Sequence, residues 1–268
     1  MTQDRAIIGL APWLQTPAGR YLLAWEQAQL DRGVADIFGF HALQLGLPEL
    51  DALRANRMPD RWLALDARTE PPPPVEGTQT VAALLRCEFD ALPLESQTLD
   101  LIVLPHALEL ARDPHLALRE VDRVLRPEGR VVILGFNPAS LWGLRQGLGH
   151  LRQRLGLGAD RPLYLPKEGE FIAYRRLRDW LRLLGFETEG GRFGCYRLPF
   201  TSERWLARFG WMERTGEHWW PVFGAVYFLV AVKRVRGMRL VGLVRQQRLA
   251  PNGAPAVVAN NSRDIHEH

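Results

Sequence analysis

The chain has 268 residues, 47% of them hydrophobic, and a formal net charge of +4. That suffices for one α/β domain with extensions or for two small domains, and it excludes a disordered chain. Two cysteines, Cys87 and Cys195, fit a reducing compartment and exclude a disulfide framework or a zinc site.

The first fifteen residues carry Asp4, Arg5 and Pro12 and lack the basic-then-apolar order of a secretory signal. The longest apolar run, Pro221–Val232, is well short of the roughly 20 residues that span a bilayer. A soluble, cytoplasmic protein with no membrane span is therefore expected. The charge is unevenly placed: from His218 to Arg263 there is no acid, but there are seven Lys and Arg residues, Lys233 among them. Such a stretch reads as a solvated basic tail, with RNA or anionic lipid as the less favoured partners.

Thr16-Pro17 predicts a helix start, with Thr as N-cap and Pro in the first turn, and Asp31-Arg32-Gly33 ends that helix. Phe40–Leu45 reads as the first strand, ending at Gly46. Glu49–Asn56 is short for a helix, and Arg61–Asp66 reads as the second strand. Four prolines, Pro71–Pro74, exclude a helix or a central strand and predict a stiff surface link.

From Leu84 the pattern becomes regular. Leu84–Phe89, Leu99–Leu104 and Arg130–Leu134 are nearly continuous apolar runs, as expected of parallel strands covered on both faces. Between the last two, Leu116, Leu118, Val121, Val124 and Leu125 keep helical spacing, and Pro127-Glu128-Gly129 supplies the stop. The stretch from Trp142 to Gly158 has too many glycines for a long helix. With Pro162–Gly169 it is expected to form an insertion at about 137–170, an apolar lid with a charged outer face. Phe171–Leu184 is helix-periodic, Phe186–Glu189 begins a sixth strand, and Gly190–Gly194 is turn-like. Ser202–Met212 predicts a short helix and Ala225–Lys233 a last, antiparallel strand, with Trp219 and Trp220 as core or rim packing. The expected division is a helical segment at 1–38, an α/β domain at 39–236, and a basic, disordered tail at 237–268.

Four runs also carry a resemblance. Cys87-Glu88-Phe89-Asp90-Ala91-Leu92-Pro93, Leu99-Asp100-Leu101-Ile102-Val103, His106-Ala107-Leu108-Glu109 with Asp113-Pro114, and Leu118-Arg119-Glu120 through Arg130 follow one another at set spacing. In that order they resemble the second half of a class I S-adenosylmethionine-dependent methyltransferase. The resemblance is to the type 11 group that includes the ubiquinone/menaquinone C-methyltransferases. It implies a Rossmann-like, seven-stranded α/β sandwich in a single domain, S-adenosylmethionine as cofactor, and an unidentified methyl acceptor, with a small molecule favoured.

The resemblance also implies roles for particular residues. Gly46 would pass its backbone close to the methionine part of the cofactor, and Asp66 would accept the ribose hydroxyls. Glu88 would face the adenine amino group while Phe89 offers its backbone N–H to the ring. Residues just past the fourth strand, here Leu104 and Pro105, would touch the methionine moiety. His106 is a candidate general base, since its ordinary pKa is near neutral, or else a residue that orients the following helix. Glu109 is expected to fix a loop. The chain departs from the family at Gln44, where an acid is usual, at Pro48 and beyond, where the second and third glycines of the loop are missing, and at Pro71–Pro74, which replaces or shortens a helix. These departures support an alternative, a methyltransferase-fold binding module that contacts RNA through its tail. A third, weaker reading is a nucleotide-binding oxidoreductase, which the absence of Gly-x-Gly-x-x-Gly disfavours.

Overall fold

The computed structural model describes residues 10–67, 83–155, 164–166 and 171–234. The proline run, most of the segment 156–170 and the basic tail lie outside these residues. The elements run α1 (Leu10–Leu14), α2 (Pro17–Gly33), β1 (His41–Leu45), β2 (Asp60–Asp66), β3 (Ala83–Cys87), β4 (Leu99–Pro105), α3 (Ala107–Leu110), α4 (Pro114–Val124) and β5 (Leu125–Phe136). They continue with α5 (Leu141–Arg154), α6 (Tyr174–Leu183), β6 (Phe186–Gly194), α7 (Glu203–Arg208), α8 (Trp211–Trp219) and β7 (Val226–Lys233).

The strands make one seven-stranded sheet in the order β3-β2-β1-β4-β5-β7-β6. The pairs β3·β2, β2·β1, β1·β4 and β4·β5 are parallel, and β7 is antiparallel to both β5 and β6. The order reverses direction at β1 and β4, which places a crevice beyond their carboxyl ends. β7 is therefore inserted between β5 and β6 rather than lying at the sheet edge.

Apolar clusters fill both faces. Leu101, Val103, Val132 and Leu134 pack with α1 and α2 on one side. Leu43, Ile102, Ile133 and Leu118 pack on the other. This two-sided burial is why the strands read as unbroken Leu, Ile and Val.

The predicted helix start is present in detail. Thr16 has extended backbone and its hydroxyl accepts from the Gly19 N–H at 3.1 Å, with Pro17 in the first turn. Thr16→Ala is expected to cost about 1 kcal/mol and lower the melting temperature by roughly 2–4 °C, measurable by thermal circular dichroism.

Four expectations need correction. α4 ends at Val124, earlier than Pro127-Glu128-Gly129, because Leu125 already pairs with Leu99 in the sheet. The next four residues, Arg126–Gly129, form a bulge, and pairing resumes at Arg130 with Leu101. Gly190–Gly194 is strand, paired with β7 across a register shift, because the neighbouring strand supplies the ladder the glycines do not. The glycine-rich stretch after β5 is a helix: Ser140 Oγ accepts from the Gly143 N–H, and Gly143 is where the Pro138 backbone leaves no room for a Cβ.

The fourth correction concerns sides. Trp142 is buried at the back of α5, its indole N–H bonded to the Arg197 carbonyl, whereas the helix leucines face outward. In the described part of the expected lid the apolar leucines thus face outward, and residues 156–163 and 167–170 lie outside the described residues. Trp219 and Trp220 are likewise exposed rather than packed.

Candidate active site

Parallel pairing brings the ends of β2 and β3 level, with Asp66 opposite Cys87. The next residue, Glu88, therefore stands beside Asp66. A shallow, open cleft is lined there by Asp66, Glu88, Phe89, Asp90, Ala111, Arg112 and Asp113. Burial, followed by the charge of Asp66, pushes the adjacent Cys87 thiol up to about 11. Burial also raises the Cys195 thiol well above its ordinary value, so neither cysteine is a ready thiolate.

Gly46 closes β1 at φ +75°, in the left-handed region that favours glycine. A Cβ built on it would lie 3.5 Å from the Phe89 ring and 3.9 Å from Ala107. Gly46 thus joins the cleft through Phe89.

The segment after Gly46 is organised by Gln44. Its side-chain amide is buried and donates to the carbonyls of Gly46, Leu47 and Leu50 at 3.1, 2.9 and 2.8 Å. Its oxygen accepts from the Ala52 N–H at 3.0 Å. An acid has no N–H to give three carbonyls, so Gln is the residue this loop requires. Leu47 and Leu50 are buried too, so the loop places apolar side chains in the core.

Leu104 and Pro105 end β4, paired with Ile133 and Leu134 of β5. Both are buried, and Leu104 belongs to the core. They do not line the cleft that gathers Asp66, Glu88 and Phe89.

His106 stands directly beyond them, with φ 54° and ψ 8°, a conformation costly for a non-glycine residue. Its ring is wholly buried between two carboxylates. Nδ1 lies 2.7 Å from Glu109 and Nε2 lies 2.8 Å from Glu26. Both ring nitrogens are engaged, so no lone pair is open to a substrate proton, and the expectation of a general base is not met by this geometry. Burial would depress the His106 pKa, but the Glu26 charge and the Glu109 hydrogen bond outweigh it and raise it to about 10. The two carboxylates thus favour a proton on the ring.

Glu109 does fix a loop: its second oxygen accepts from the Phe136 N–H at 2.6 Å, tying α3 to the end of β5. Burial raises the Glu109 pKa, so the trio as a whole holds protons more tightly than its separate members would.

Glu26 was not singled out by sequence. It sits four residues after Leu22 and four before Leu30, on the stripe that α2 buries. An acid on an apolar stripe was the available signal. The remaining Glu26 oxygen, Oε2, is buried and has no hydrogen-bond partner.

Among the described residues no group of His, Cys, Asp and Glu is placed to hold a metal ion. No described helix is long and apolar enough to cross a membrane.

The sheet order, with its antiparallel β7, and the cleft beyond β1–β3 define a class I methyltransferase fold. Solved structures agree. A SAM-dependent methyltransferase from Thermotoga maritima superposes with a TM-score of 0.51 at 14% identity, covering 81% of this chain and 91% of that one. Another from Mesorhizobium loti gives 0.50 at 16%, covering 76% and 96%. A family model described as a methyltransferase domain matches residues 63–133. The uncharacterized protein YafS of Escherichia coli is 30% identical over 175 residues, 65% of this chain and 64% of that protein. A ubiquinone/menaquinone biosynthesis C-methyltransferase of Syntrophotalea carbinolica is 28% identical over 144 residues, 47% of this chain and 60% of that one. The chain thus spans rather less than two thirds of the length of both relatives. The matched methyltransferase domain lies within a class I methyltransferase fold, and that combination implies S-adenosylmethionine as cofactor.

Proposed function

We propose that the chain transfers a methyl group from S-adenosylmethionine to an acceptor, a small molecule in the first instance. The observation that carries this reading is the meeting of Asp66, Glu88 and Phe89 round one cleft at the carboxyl ends of β2 and β3, beside Gly46.

Two carboxylates at adjoining strand ends suit the adenosine half of the cofactor. Asp66 would accept from the ribose hydroxyls and Glu88 from the adenine amino group, with the Phe89 backbone N–H toward the ring. Gly46 would pass beneath the methionine half, where its left-handed backbone keeps the surface free of a side chain. The cofactor supplies a methyl group on an electrophilic sulfonium. The protein's share is to position the acceptor and exclude water, and positioning alone supplies on the order of 7–11 kcal/mol. A side-chain base is not needed when the acceptor is already nucleophilic, which accords with the enclosure of His106. The trio of Glu26, His106 and Glu109 is then a positioning device that holds α2 and the β5 end at the mouth of the site.

Isothermal titration with S-adenosylmethionine and S-adenosylhomocysteine tests this reading. Saturable binding is expected, weakened by roughly 10- to 100-fold in Asp66→Ala and in Glu88→Ala, the equivalent of about 1.5–3 kcal/mol for a charged hydrogen bond. Absence of heat and of a thermal shift at millimolar ligand would remove the enzyme reading and leave a binding module.

A further inference from the structure

Helix α5 carries an unusual stripe. Leu141, Leu144, Leu148, Leu151 and Leu155 recur at spacings of three and four, and the Leu155 N–H still bonds to the Leu151 carbonyl. These five positions fall on one side of a helix, opposite buried Trp142 and Gln146. Each leucine is between 44% and 63% exposed. The helix therefore has an apolar face toward the core and a second one, about 21 Å long, away from it.

The charges flanking the stripe are of one sign. From Asn137 to Arg154 there is no acid, while Arg145, Arg152 and Arg154 border the leucines and His150 lies nearby. The spacing would also suit a coiled coil with a second copy. In that arrangement Arg145, Arg152 and Arg154 would take the flanking positions on both strands, with no carboxylate on either helix to answer them. Like charge disfavours self-pairing and favours an anionic surface. A leucine face bordered by arginines is what a helix lying in the plane of a membrane interface presents.

Exposed aromatics adjoin this face. The Asn137 side-chain amide donates to the carbonyls of Val222 and Gly224 at 2.8 and 2.9 Å, fixing that segment beside the turn that opens α5. Trp219, Trp220, Val222 and Phe223 are all more than half exposed there. Tryptophan suits the water–lipid boundary, where one end of the ring is apolar and the other wet.

We infer that α5, with the adjoining Trp219–Phe223 segment, is a docking surface for an anionic lipid membrane, with the leucines entering the acyl boundary and the arginines at the headgroups. The chain lies on such a surface and does not span it. The inference does not depend on cofactor binding and stands or falls separately from it.

The test is sedimentation of the full chain with vesicles of phosphatidylcholine containing about one third phosphatidylglycerol, against pure phosphatidylcholine. Wild type is expected to pellet with the anionic vesicles. Partitioning should fall at least tenfold in the double variant Leu148→Glu/Leu151→Glu and roughly tenfold in Arg152→Gln/Arg154→Gln. The leucines are exposed, so the double variant should melt no lower than wild type; Leu144→Ser/Leu148→Ser is the milder substitute if it does. Both leucine variants keep the basic tail, so equal sedimentation of wild type and a folded leucine variant overturns the inference. So does equal sedimentation on neutral and anionic vesicles, or none on either, which would assign the face to a protein partner.

Discussion

Glu109→Leu is expected to destabilise the fold by about 3–5 kcal/mol. The substitution leaves the buried His106 imidazolium without one partner and the Phe136 N–H without an acceptor. Both groups lie where water does not reach, so each carries its full desolvation penalty. Urea unfolding followed by circular dichroism reads the midpoint directly. A loss below about 1 kcal/mol would show that the trio is not held as described.

The same trio gives the protein a pH dependence of stated sign. His106 has a native pKa raised to about 10 from an ordinary 6.5, so the native state binds more protons than the unfolded chain across that interval. Stability from this group is complete below about pH 6.5 and is lost as pH rises through about 10. Glu109, also raised, works in the same direction from the ordinary carboxylate range upward. A fall on the order of 4 kcal/mol is expected between neutral pH and pH 10. Glu26→Gln removes the charge that most raises His106 while keeping the side-chain shape, so it should flatten this slope. An unchanged slope in that variant would place the proton elsewhere.

The sheet was readable where each strand is buried on both faces, because such strands show no alternation and their run lengths stand out. β4 and the core half of β5 were found within one or two residues for that reason. Gly190–Gly194 failed the same test. Its residues are mostly exposed and glycine-rich, and only pairing with β7 makes them strand. Helix α5 failed for a related cause: the propensity of its glycines argues against a helix, and the contact of Gly143 with the Pro138 backbone argues for one. Contacts of this kind cannot be seen along a sequence.

The site divides in the same way. Asp66, Glu88 and Phe89 were legible because parallel strands of matched length bring their ends together, and a family motif fixes the register. His106 was visible, but its enclosure was not, since one of its two partners lies 80 residues earlier. Glu26 offered only the anomaly of an acid on a buried stripe. That anomaly marks a partner somewhere in the fold without saying which.

Gln44→Glu, which restores the acid usual in the family, is expected to be among the most damaging changes in this chain. In this loop the side chain must give hydrogen bonds, and a carboxylate only accepts them. Its oxygen would stand about 3 Å from the carbonyls of Gly46, Leu47 and Leu50, all of which now receive the Gln44 amide. Three buried carbonyls would lose their donor while the buried charge kept only the Ala52 N–H as a partner. The cost should be roughly 3–5 kcal/mol or a protonated glutamic acid, and in either case the loop after Gly46 would move. Gln44→Leu gives the comparison, since it removes the donor without adding charge and should cost less. Equal stability of Gln44→Glu and wild type in urea, with unchanged S-adenosylhomocysteine affinity, would show that the loop tolerates the ancestral pattern. The expected order of stability, wild type above Gln44→Leu above Gln44→Glu, would show instead that the chain has exchanged a glycine-rich loop for one held by a single buried amide. The departure of its sequence from the family would then be a rebuilt support for the same cleft, since Gln44 and Leu47 serve one arrangement and neither is explained alone.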